Sequence, residues 1–223
     1  MYRFIPFLAA VVFNFACFAQ SNQTEGGKSR VQIKPLAPQL DWVPEGHEVA
    51  LFAGGCFWCM EGPFDSITGV TQTIAGYTDG RVHNPTYKAV SRGLTGHTEA
   101  IQVVYDPKKV TYKQLLDVFW RNIDPLQKNG QFCDRGSQYR SGIYAYGQNQ
   151  LQLAKEARTQ LQASRTWPAP IATEVKAASR FYRAEEYHQD FYKKNPGHYK
   201  RYRKGCGRDR RLNELWGTRP GKK

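Results

Sequence analysis

From His97 to Tyr105 the chain alternates, with Glu99, Ile101, Val103 and Tyr105 on one face of an extended segment and Thr98, Ala100, Gln102 and Val104 on the other. A period of two sustained over this length predicts a strand. It also places Glu99 on an otherwise apolar face, where desolvation disfavours the carboxylate and raises its pKa toward the range of a proton donor. Glu99 is therefore a candidate general acid, the alternative being a carboxylate satisfied by a nearby cation or hydroxyl. Asp106-Pro107 closes the strand. Thr111 and Gln114 then form a capping box that opens a helix whose Leu115, Leu116, Phe119 and Ile123 face a core.

The rest of the chain fits around this unit. Val49 to Phe52 predicts a strand running into Gly54-Gly55, followed by a helix that opens at Cys56-Phe57-Trp58-Cys59 and is cut short by Pro63. Val70 to Ala75 predicts another strand, whereas Gly76 to Gly96 is too polar and too punctuated for regular structure. That segment nevertheless carries Tyr77, His83 and Tyr87, and long loops inside compact domains are usually functional. Asn122 to Gln138 reads as a second irregular segment. A strand over Tyr139 to Tyr146, a helix over about Asn149 to Ala163 and a last strand over Ile171 to Val175 follow. Ala184 to Lys194 is a helix candidate with Tyr187 and Phe191 one turn apart, and beyond Asn195-Pro196-Gly197 the chain is basic and loosely patterned. Strands interleaved with helices in this order predict a two-layer α+β sandwich with a mixed or antiparallel sheet and long functional loops. The glycines near Cys56 make no dinucleotide fingerprint and no phosphate loop.

The two ends differ from this core. Phe4 to Ala19 is apolar apart from Asn14 and follows Met1-Tyr2-Arg3, so residues 1–19 read as a secretory signal cut after Ala19. An uncleaved membrane anchor and a lipoprotein signal using Cys17 are the other readings. Cleavage predicts an exported, periplasmic or secreted chain with no stable membrane insertion. Residues 20–44 have the composition of a flexible linker, 45–217 hold the patterned folded domain, and 218–223 are a basic tail. The 32 Lys and Arg against 19 Asp and Glu leave a net charge of +13. Of this, +9 lies between Arg180 and Lys223, where 14 basic residues meet 5 acidic ones. A solvated basic surface accounts for that excess, and export removes nucleic acid from reach, so no nucleic-acid partner is expected.

Removal of the signal leaves four cysteines, Cys56, Cys59, Cys133 and Cys206. Two structural disulfides are one reading in an oxidising compartment. Against it, Cys56 and Cys59 stand at a predicted helix start, where the dipole and free N–H groups stabilise a thiolate and lower its pKa. A single Cys-x-x-Cys without a second pair at ligand spacing is weak evidence for metal, and none is expected. Phe57 and Trp58 put aromatic faces beside the sulfur and imply an apolar ligand group, or else they are core residues under the helix. Tyr87 and Tyr139 are loop phenols able to point O–H donors into a cleft.

Several of these segments occur together in one family. Gly55-Cys56-Phe57-Trp58, Gly76-Tyr77-Thr78, Pro85-Thr86-Tyr87, Thr95-Gly96-His97-Thr98-Glu99-Ala100, Tyr105-Asp106-Pro107 and Gln138-Tyr139-Arg140-Ser141 resemble peptide methionine sulfoxide reductase A, in order, from about Val49 to Trp216. The resemblance implies a ferredoxin-like core and a peptide-methionine (S)-S-oxide reductase, an oxidoreductase acting on sulfur with a disulfide as acceptor. Its substrate is methionine-S-sulfoxide, free or in oxidised proteins and peptides. On this resemblance Cys56 is the nucleophile, Phe57 and Trp58 hold the substrate methyl group, and Tyr87, Tyr139 and Glu99 surround the sulfoxide oxygen. Glu99 delivers the proton and Asp134 orders the site. Cys56 becomes a sulfenic acid that a second thiol converts to a disulfide. No bound cofactor is implied, only an external dithiol such as thioredoxin or a thioredoxin-like protein, acting on a monomer.

The chain departs from the family pattern at Cys59, where Gly is common, and at Gly205-Cys206-Gly207. Cys206, on a flexible Gly-flanked tail, is the favoured resolving thiol, with Cys59 the alternative and Cys133 a third option. Two other functions are consistent with the residues. An exported Cys-x-x-Cys thiol-disulfide oxidoreductase would depend on Cys59 and not on Glu99. A disulfide-stapled basic binding module would hold no free thiolate.

Overall fold

A computed structural model describes Met1 and residues 40–164 and 167–217 of the chain. Apart from Met1, the expected signal segment 1–19, most of the linker and the tail 218–223 lie outside the described residues.

The strand around Glu99 is β3 (Thr98–Tyr105), and it sits near the middle of the sheet with all its residues buried. It pairs antiparallel with β1 (Glu48–Gly54) on one side and with β2 (Val70–Thr78) on the other, in a register that sets Tyr77 opposite Glu99. The sheet continues outward from β1 through β6 (Ser141–Ala145) to β7 (Glu174–Ala177), and from β2 to β8 (Tyr182–Arg183). Only the β6–β7 pairing is parallel among these six strands, so the sheet is mixed. The Glu99 face carries the larger core, in which Phe52 stacks between Phe64 at 5.2 Å and Phe119 at 5.1 Å. The opposite face packs Leu51, Ala53, Ala100 and Tyr144 under Tyr146, Ala178 and Phe181. Burial on both faces explains why β1 reads as a continuous apolar run.

Helices cover the larger core. On α1 (Trp58–Asp65), Phe64 is fully buried, and Pro63 lacks the N–H that would continue the helical ladder, so the helix closes within two residues. In α3 (Tyr112–Trp120), Thr111 Oγ1 accepts from the Gln114 N–H and Gln114 Oε1 from the Thr111 N–H, a reciprocal cap that contributes about 1 kcal/mol. α4 (Gly147–Ala163) packs through Ala154 and Gln150. The fold is thus α+β, with helices layered on a mixed sheet.

Three stretches read as irregular contain regular structure. β2 runs on to Thr78, and α2 (Tyr87–Ser91) forms inside the polar loop because Thr86 caps it through the Ala89 N–H. β4 (Gly130–Gln131) and β5 (Asp134–Arg135) pair as a short hairpin between Asn122 and Gln138. At the C-terminal end, the helix expected over Ala184 to Lys194 is instead a 3₁₀ turn at Glu186–His188 and a single turn, α5 (Phe191–Lys194). Asp190 breaks it with φ +54°, and the Gln189 side chain bonds the Ala75 backbone of β2 at 2.9 Å on both its donor and acceptor atoms. Long-range bonds to the sheet outweigh local helix propensity there. The loosely patterned end is in fact α6 (Pro196–Gly205) and α7 (Arg208–Trp216), hinged at Gly207 with φ +69° and anchored by buried Arg208, Leu212 and Leu215. Among the described residues no helix is long and apolar enough to cross a membrane.

Candidate active site

Cys56 lies where β1 ends and α1 begins, and glycine is required on the approach. Gly55 has φ +78°, and a Cβ there would stand 2.5 Å from Gln131 Cβ. A Cβ on Gly54 would stand 2.5 Å from Met60 Sδ. The chain therefore passes close under the β4–β5 hairpin and delivers the Cys56 thiol, 6% exposed, into the first turn. Cys59 donates its N–H to Cys56 O at 3.0 Å, and the two side chains share a hydrogen bond.

The two thiols shift in opposite directions. Burial, followed by the hydrogen bond it donates to Cys59, pushes the Cys56 thiol well up. Cys59 is the acidic partner, lowered to about 6 by that hydrogen bond against the cost of its own burial, with Arg208 and Arg203 helping. The helix start brings the two thiols together, and the hydrogen bond they share lets one thiolate serve the pair.

Glu99 is 2% exposed, and its Oε2 accepts the Phe57 N–H at 3.1 Å. Burial pushes its carboxyl up to about 8, partly offset by that N–H, so it carries a proton at neutral pH. Tyr87 opens α2 and Tyr139 ends a 3₁₀ turn after Gly136. Burial and then the Glu99 charge move Tyr87 up to about 12 and Tyr139 upward as well, and both remain O–H donors. Asp134, half-buried on β5, is pushed up by burial while accepting a hydrogen bond from Tyr202 of α6. Phe57 is 1% exposed and belongs to the main core, so the reading of it as a core residue holds alongside its place beside Cys56. Trp58 is half-buried, stacked on Phe191 at 3.8 Å with Tyr202 edge-on at 5.9 Å.

Cys206 is not on a flexible tail. It caps α6 and is joined to Cys133 of the hairpin loop by a disulfide, which leaves Cys56 and Cys59 as the free thiols. Cys133, Asp134 and Cys206 place ligand atoms within 4.8 Å of one another, but both sulfurs are committed to that bond.

Local pattern did not reveal His188 and Glu185. His188 Nδ1 accepts from Trp58 Nε1 at 3.1 Å, and its ring lies 4.9 Å from Phe57 and 4.3 Å from Tyr87. Burial lowers its pKa to about 4, so it is neutral at pH 7. Glu185 accepts from Tyr77 O–H at 2.7 Å and from the Tyr87 N–H at 2.8 Å, tying α2 to the sheet. The signal in the sequence was the need of a buried Trp58 for an acceptor, which names no particular residue.

Glu99 acts electrostatically on Cys56 and the two arginines on its hydrogen-bonded partner Cys59, and this is the chemistry of a thiol oxidoreductase. Residues 48–220 match the family described as peptide methionine sulfoxide reductase. Peptide methionine sulfoxide reductase MsrA of Bacillus velezensis is 49% identical over 175 residues, covering 78% of this chain and 99% of its own. The Listeria monocytogenes protein of the same name is 48% identical over 77% of this chain and 97% of its own. Among solved structures, reduced Mxr1 of Saccharomyces cerevisiae aligns with a TM-score of 0.65 at 34% identity, over 69% of this chain and 88% of its own. Methionine sulfoxide reductase A of Corynebacterium diphtheriae aligns at 0.61 and 35%, over 69% of this chain and 77% of its own. The chain belongs to the peptide methionine sulfoxide reductase family.

Proposed function

We propose that this chain reduces methionine-S-sulfoxide, free or within oxidised proteins and peptides, to methionine, with Cys56 as the nucleophile. The observation that carries the reading is the Glu99 carboxyl, buried and accepting the Phe57 N–H one residue from Cys56, where burial raises its pKa and favours the proton-donating form. The substrate methyl group rests on Phe57 and Trp58, and Tyr87, Tyr139 and Glu99 donate to the sulfoxide oxygen. Cys56 sulfur attacks the sulfoxide sulfur while Glu99 protonates the oxygen. The oxygen ends on Cys56 as a sulfenic acid, and methionine leaves with the two electrons of the thiol. Asp134 orders the cleft through Tyr202.

Cys59 then condenses with the sulfenic acid, forming the Cys56–Cys59 disulfide and releasing water. It is preferred to Cys206 because Cys206 is already bonded to Cys133, whereas Cys59 is free and hydrogen-bonded to Cys56. An external dithiol, thioredoxin or a thioredoxin-like protein, restores both thiols by exchange, and no bound cofactor takes part. The pattern of residues 1–19 supports export to the periplasm or beyond, where the chain works as a monomer.

The test supplies purified protein with dithiothreitol and each epimer of a methionine sulfoxide peptide. Methionine forms from the S epimer, and Cys56→Ser yields none. Turnover by Cys56→Ser, or equal turnover of the R epimer, refutes the proposal.

A further inference from the structure

Arg208 opens α7, yet its side chain turns into the core and is 1% exposed. Its Nη2 donates to Gly54 O at 3.0 Å, to Met60 Sδ at 3.1 Å and to Asn122 O at 2.7 Å, all uncharged acceptors. The guanidinium carbon lies 4.3 Å above the Phe132 ring, and Nε has no partner. Among the described residues no ion pair involves Arg208. A buried cation bonded only to dipoles and a ring needs an anion near it, and beyond the Asp134 carboxyl, which Arg208 stabilises and which already accepts from Tyr202, a further anion can fill that role.

The residues it bonds locate that anion. Gly54 precedes the active cysteine by two positions, and Met60 directly follows Cys59. Cys59 is 2% exposed, and its thiol is lowered first by the hydrogen bond from Cys56 and then, against the cost of burial, by Arg208. The other cation acting on Cys59, Arg203 of α6, is already matched by Asp209 at 2.6 Å. Against Cys59 stand the acids Glu99 and Asp134, the first protonated and the second hydrogen-bonded by Tyr202. The Tyr199 and Tyr202 phenols also feel its charge and are neutral. The Cys133–Cys206 disulfide closes the arrangement, since Cys206 lies two residues before Arg208 and Cys133 follows Phe132, the ring that the guanidinium covers.

We propose that Arg208 is the buried counter-cation of the Cys56–Cys59 pair, holding Cys59 as the anion that first takes the Cys56 proton and then attacks the Cys56 sulfenic acid. The inference rests on the reductase reading for its second step. In the first, the Cys56 S–H proton passes to Cys59 as the Cys56 sulfur bonds to the sulfoxide sulfur, and Glu99 protonates the oxygen and becomes a carboxylate. In the second, Cys59 passes that proton to the sulfenic hydroxyl, and the thiolate so formed, stabilised by Arg208, displaces it from the Cys56 sulfur as water. Charge is conserved, the single negative charge moving from Cys59 to Glu99. Arg208 touches neither substrate nor the sulfenic oxygen, so it is a positioning residue for charge.

The experiment titrates thiolate ultraviolet absorbance of the protein with Cys56 and Cys59 reduced and the Cys133–Cys206 bond verified by mass spectrometry. One thiolate per chain is expected at pH 7. Cys59→Ser loses it, Arg208→Met shifts its appearance up by at least about one pH unit, and Arg208→Lys restores most of it. After one equivalent of methionine sulfoxide, Arg208→Met should accumulate dimedone-reactive Cys56, with disulfide closure slowed by about ten-fold or more. A parent protein without thiolate at pH 7 overturns the proposal with no variant needed. A folded Arg208→Met with an unchanged titration overturns it too. The titration needs no substrate, so methionine formation by the parent tests the reductase reading separately.

Discussion

Replacing Glu99 with Gln should stabilise the fold at neutral pH while removing most of its activity. The carboxyl moves from an ordinary value of 4.5 to about 8 because burial disfavours its charge. Between those values the folded chain holds a proton that the unfolded chain has lost, so the stability contributed by this group is intact below the unfolded pKa and is lost as pH rises toward 8. At about 1.4 kcal/mol per unit, the loss is roughly 3 kcal/mol at pH 7 and about 5 kcal/mol once the folded group ionises. The amide introduced by Glu99→Gln would keep an oxygen for the Phe57 N–H, now at 3.1 Å from Glu99, and cannot ionise. Denaturant unfolding of both proteins from about pH 5 to about pH 9 should therefore show curves that diverge in favour of the variant as pH rises. Subtracting one from the other cancels Glu61, a second buried carboxyl raised to about 8. Loss of the proton donor should lower turnover by roughly 100- to 10,000-fold. Parallel stability curves would refute the burial argument, and undiminished turnover would refute the role of the proton.

Two further substitutions probe the scaffold. Cys206→Ser opens a disulfide that spans 73 residues of sequence, which should cost about 4 kcal/mol in urea unfolding. Mass spectrometry after a single turnover should still find Cys56 joined to Cys59, whereas a stalled sulfenic acid would make Cys206 the resolving thiol. Gly55→Ala forces a side chain onto φ +78° and a Cβ to 2.5 Å from Gln131, for a loss of about 1–3 kcal/mol from the backbone alone and more from the clash. A melting temperature equal to the parent's would show that the turn before Cys56 relaxes freely.

The elements that sequence determined are those whose cause is local. The alternation of β3, the capping box of α3, Pro63 shortening α1 and the diglycine before Cys56 each act within a few residues, and each could be read without a partner. The burial of Glu99 followed from the same alternation, since a strand has only two faces and its companions on one face were apolar. Tertiary structure decided what depends on residues far apart in the chain. Cys206 turned from a flexible tail to a stapled helix end because Cys133 meets it across 73 positions. The helix read over Ala184 to Lys194 gave way to turns because Gln189 bonds to β2 and Asp190 to Glu61. Arg208 of α7 reaches the turn that carries the two thiols, bonding Gly54 and Met60 from far along the chain, and a pKa is set by the surroundings of a group rather than by its neighbours in sequence.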